Sequence, residues 1–170
     1  MSGFTSSIPL CKAELVERWG GVTYNNTPST RFSGLPSVVA ALASGTTDIR
    51  VSWGNPYPDS MPDVVVIVDD VKDITLHPVA AMTQYNESYA ITCYISIAKH
   101  PNTDKLEMWT RAYALYAEIV TDIYRMNREG DMPPQVNVIE VGPAHDQDAI
   151  ASDVRENAVM FDLLVKARIT

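Results

Sequence analysis

A chain of 170 residues with 46% apolar content holds enough core-forming material for one domain of ordinary size. Its net charge of −8, with 13 basic residues scattered among the acidic ones, argues against a protein that grips phosphate backbones, because that affinity comes from clustered Lys and Arg. No stretch approaches the ~18–20 consecutive apolar residues of a membrane span, and Met1-Ser-Gly-Phe-Thr-Ser-Ser lacks the basic start and apolar centre of a signal peptide. The expectation is therefore a protein without membrane contact, made in a cytoplasm. Cys11 and Cys93 share no C-x-x-C spacing and read as free structural thiols.

Residues 1–35 read as an N-terminal arm with a short helix. Ser7 stands at an N-cap position, and Pro9 falls in the first turn, where its missing N–H is tolerated. Ala13, Leu15, Val16 and Trp19 supply an apolar side, and Gly20-Gly21 stops the helix. Residues 22–34 are rich in turn formers and read as loop. A second short helix is predicted from Pro36 to Ala43, ended by Ser44-Gly45.

Strands follow. Ile49 to Trp53 is β-branched and aromatic until Gly54-Asn-Pro-Tyr-Pro breaks it. Val64 to Val68 is a continuous apolar run, as expected of a strand covered on both faces. Asp69-Asp70 reads as a turn, with Val71 to Leu76 returning as a weaker strand. Glu87 to Ala98 alternates cleanly, with Tyr89, Ile91, Cys93, Ile95 and Ile97 on one side.

A long helix opens at Asp104, with Glu107 at capping-box spacing, and closes at Gly130 ahead of Pro133-Pro134. Leu106, Trp109, Tyr113, Ala117, Val120 and Tyr124 recur at steps of three and four and are expected to pack on the sheet. Asp104, Glu107, Arg111, Glu118, Asp122 and Arg125 are expected to face away. Gln135 to Val141 and Ala158 to Ile169 read as closing strands, joined by a long polar connection over 142–157. The class is α+β: a mixed or antiparallel sheet of about four to five strands, with the long helix and a shorter one packed on one side.

The search for chemistry returns little. The nucleophile-elbow, phosphate-loop, dinucleotide and zinc-protease motifs are all missing. His77, His100 and His145 lie far apart, and His77 and His100 each precede a proline, as turn residues do. No catalytic, cofactor or metal residue is assigned. The acidic run around His145, Asp146, Asp148 and Asp153 matches no calcium-loop spacing and reads first as a solvated loop, with an ion or partner contact as the alternative. The stiff segment Trp53-Gly-Asn-Pro-Tyr-Pro, carrying Trp53 and Tyr57, is either a contact surface or a connection packed on its own domain.

The runs Val51-Ser-Trp-Gly-Asn-Pro-Tyr-Pro-Asp-Ser-Met-Pro-Asp-Val-Val-Val-Ile-Val68 and Glu87-Ser-Tyr-Ala-Ile-Thr-Cys-Tyr-Ile-Ser-Ile-Ala98 resemble the core of tail-terminator (tail-completion) proteins of long-tailed actinobacterial phages. Arg111-Ala-Tyr-Ala-Leu in the long helix and Asn157-Ala-Val-Met-Phe-Asp-Leu-Leu-Val-Lys-Ala-Arg at the end continue that likeness over residues 36–170. The resemblance implies a single small α+β domain there and a non-enzymatic virion protein of the tail's neck region. It implies a hexameric ring that caps the tail tube, stops its polymerisation and offers a surface to the head–tail connector proteins. Genomic DNA would pass the channel without specific binding, and a divalent cation would at most assist assembly. The alternatives are a head–tail stopper or other minor tail protein and, from another class, a small α+β enzyme or ligand-binding domain.

Overall fold

The computed structural model describes residues 5–23, 25, 27–45, 49–54, 63–79, 84–99, 104–151 and 154–169, with 99, 148–151, 154 and 155 described by their backbone. Three helices and six strands follow in the order α1 (Ile8–Gly20), α2 (Pro36–Ser44), β1 (Ile49–Trp53), β2 (Val64–Pro78), β3 (Tyr85–Lys99), α3 (Lys105–Glu129), β4 (Val136–Val141), β5 (His145–Ala151) and β6 (Val154–Ile169). The strands form one sheet in the order β1-β2-β3-β6-β4, and β5 lies beside β6 along the same border as β4. β1 runs parallel to β2, and the other pairings are antiparallel. The class is α+β with a mixed sheet, as expected; the three expected helices are present, and the sheet has six strands where about four to five were expected.

Alternation decides which side of the sheet is covered. Ile91, Cys93, Ile95 and Ile97 of β3 and Val159, Phe161, Leu163, Val165 and Ala167 of β6 share one buried face. Against it pack Leu15, Val16 and Trp19 of α1, Val38 of α2, and Met108, Ala112, Leu115, Ile119, Ile123 and Met126 of α3. Each large side chain buried this way stabilises the fold by roughly 1.5–3 kcal/mol. The helix expected on an N-terminal arm thus shares one core cluster with residues of 36–170. The run Val64 to Val68 is buried at every position, as its continuous apolar character predicted.

The helix ends follow their local chemistry. Gly21 takes φ +67 as the C-cap of α1, and a side chain there would meet the Ser33 carbonyl oxygen at 2.7 Å. Gly130 closes α3 at φ 71, and the Asp104 carboxylate accepts from Leu106 N at 2.9 Å.

Several expectations need correction. The core stripe of α3 is Met108, Ala112, Leu115, Ile119, Ile123 and Met126, whereas Leu106 and Tyr124 are 72% and 67% exposed and Tyr113 is exposed; Trp109 is half-buried and packs against the core, as expected. Two stripes satisfy the helical period, and the compact aliphatic one fits against a tightly paired sheet. Asp122, expected to face away, is buried. Asp69-Asp70 is no turn: β2 continues through it, with register breaks between Val68 and Val71 and between Lys72 and Thr75. His77 likewise lies in β2. The 142–157 connection is largely strand, since β5 pairs residue by residue with the first half of β6.

Candidate functional site

Helix α1 is tied to α3 through a buried ionic network. Arg18 Nε donates to Asp122 Oδ2 at 3.0 Å and its Nη2 donates to Asp131 at 2.9 Å. Trp19 Nε1 reaches the same Asp122 oxygen at 3.1 Å, and Arg125 Nη2 donates to the other at 2.6 Å. The Arg18 side chain is only 5% exposed, so these partners are what make its charge tolerable away from water. Satisfaction is incomplete: Arg18 Nη1 and Glu14 Oε1 are buried without a hydrogen-bond partner. Burial pushes the Glu14 carboxyl above its ordinary range, against the pull of Arg31 and Arg18.

Beside this network lies a groove of about 990 Å³ between α2, α3 and residues 31–35. Its apolar lining includes Phe32, Leu35, Val39, Ala43 and Ala117. Its carboxylates are engaged within the chain: Glu118 accepts from Ser37 N and Oγ at 3.1 and 2.5 Å, and Asp122 and Asp131 hold Arg18. The arrangement packs helices together.

A second polar cluster fastens the start of α1. The buried Glu87 carboxylate accepts from Ser6 Oγ at 2.6 Å, Ser7 N at 2.9 Å and Ser7 Oγ at 2.6 Å. Ser7 therefore does not cap the helix with its side chain; it delivers a carboxylate to the helix's positive end, where negative charge is favoured. Ser7 Oγ also lies 3.0 Å from Tyr89 OH. Burial pushes the Cys11 thiol up to about 12 and raises the Tyr89 hydroxyl and the Cys93 thiol as well. These groups stay protonated at neutral pH, which fits structural roles.

The residues singled out in the sequence fall on opposite borders of the sheet. Trp53 ends β1 at 42% exposure, with Lys12 Nζ 4.9 Å above its ring, and Pro9, Leu10 and Ala13 of α1 complete a small apolar patch there. On the far border, His145 and Asp146 open β5, both exposed, and Asp146 accepts from Tyr113 OH at 3.2 Å. Asp148 lies in the backbone of β5. Tyr57 and Asp153 fall outside the described residues, as does His100. Sequence reading passed over Leu10 and assigned Leu106 to the packed stripe of α3; both are exposed.

Among the described residues, no group of three or more His, Cys, Asp or Glu side chains is placed to hold a metal ion, and no helix is long and apolar enough to cross a membrane. The fold and these surfaces define a small α+β protein with exposed apolar groups at both sheet borders and also elsewhere, as at Leu42, Ile74 and Leu164. No family model matches the chain, and no curated protein matches it either.

Proposed function

We propose that the chain is a tail-terminator subunit of a long-tailed phage: a non-enzymatic virion protein that acts in a hexameric ring at the head-proximal end of the tail tube. The reading begins from the resemblance carried by residues 51–68, 87–98, 111–115 and 157–168. The observation that carries it furthest is the sheet itself, which ends on two borders lying on opposite sides of the subunit, β1 on one and β4 with β5 on the other. Unlike borders on opposite sides suit head-to-tail contacts, and such contacts close into rings when the rotation permits. A subunit of net charge −8 repeated around a channel repels a DNA backbone, as a conduit should.

In this role the ring stops tube growth and presents a surface to the connector proteins of the head. Electron microscopy of virions produced without the chain provides the test. Overlong tails are the expected result; normal tails on heads that leak DNA would reject the terminator in favour of a head–tail stopper. Light scattering on the purified chain, alone and with tail tubes, should find a ring or tube-bound assemblies. A chain that stays monomeric at high concentration and never associates with tubes would overturn the reading.

A further inference from the structure

The two borders of the sheet match each other in height, direction and apolar character. Following the register across the strands, Val51 of β1 pairs with Val66, Val66 with Ile95, Ile95 with Val159, and Val159 with Asp146 of β5. β1 and β5 therefore occupy the same level along the strand axis, at opposite ends of one band. Their directions are opposed, since β1 runs with β2 while β3, β6 and β5 alternate. A rotation about an axis along the strands preserves these directions. It brings β5 of one copy antiparallel to β1 of the next, with the more stable ladder geometry.

The side chains flanking these strands agree. Trp53 points to the helix-covered face, because its partner Val68 belongs to the core cluster, and with Leu10 it forms the exposed apolar patch of the β1 border. On the β5 border Tyr113 of α3 bonds to Asp146, and Leu106 stands exposed two turns earlier on the same face of that helix.

We infer that β1 of one copy adds to β5 of the next, extending the sheet around the ring, with Leu10 and Trp53 of the first copy packing against Leu106 and Tyr113 of the second. The inference rests on the ring reading for its symmetry but names a contact that can fail by itself.

Two surface substitutions, Leu10→Asp and Leu106→Asp, test it. Both side chains are exposed, at 49% and 72%, so circular dichroism should report an unchanged fold. Each variant alone should lose association by on the order of a hundredfold and run as a monomer in light scattering. Mixed, they should form a one-to-one dimer and stop, because each retains the border the other lacks. If Leu106→Asp alone still pairs, the contact joins like borders and the inference is overturned. If the unaltered chain forms rings and both variants do too, the ring reading stands and the border pairing falls. If the unaltered chain never associates, alone or on tubes, both fall together.

Discussion

The two halves of β2 behave as different structures built on one strand. From Val64 to Val68 every residue is buried, the register is unbroken, and β1 covers the border. From Asp69 onward the residues are exposed or half-buried, and the pairing with β3 breaks register twice. Asp73 takes φ 54, and Ile74 stands 57% exposed. No strand borders this second half among the described residues. Its border nonetheless carries the features that discourage pairing: register breaks, Lys72, and Pro78 at its end. β1 and β5 pair with their neighbours in unbroken register and contain no proline. The lesson is that an open border is not by itself an interface. The long one is blunted, while the two short ones at the level of the core are left regular.

That contrast can be broken in several ways. The largest effect belongs to the band itself: Phe161→Ala removes a fully buried ring stacked edge-on with Tyr116 at 5.1 Å, and should cost about 3–5 kcal/mol in chemical denaturation. Asp122→Ala leaves Arg18 buried without its main partner and should cost roughly 3 kcal/mol, loosening α1 over β1. Hydrogen exchange that spares α1 in this variant would show that the network does not hold the helix.

Glu14→Gln should act more gently and with a pH signature. Its folded carboxyl is raised, so the native state is favoured while the proton is held, and that advantage is lost as pH rises through the folded value. The variant should therefore be more stable than the parent by about 1 kcal/mol at neutral pH, with the gap closing near pH 4. A gap that widens on acidification would reverse the sign. Smallest of all is Ile74→Lys on the blunted half of β2. It should change stability by less than about 0.5 kcal/mol and leave association untouched; loss of the ring in this variant would make the second half of β2 the true contact.

Much of this fold is visible in local pattern. The alternations in β3 and β6 predict which side chains are buried, because a pleated strand leaves each residue only two directions. Gly21, Gly45 and Gly130 mark the helix ends, because the left-handed turn there excludes most side chains. Trp53, His145 and Asp146 were picked out from composition, though nothing local could tell that they sit on opposite borders at nearly one height. The α3 stripe was misread because two faces of that helix satisfy the same period, and only the partner surface decides between them. The acidic 142–157 segment read as loop because its polar residues hide a strand whose stability comes from pairing with β6.

The sequence by itself determined the class of the protein, its three helices, most of its strands and the inward face of its two central strands, since these follow from the geometry of single elements. Tertiary structure alone decided that α1 joins the core, that Asp122 lies inside, and that β1 and β5 face outward at equal height. Those facts depend on contacts between segments far apart in the chain, and no local period encodes them.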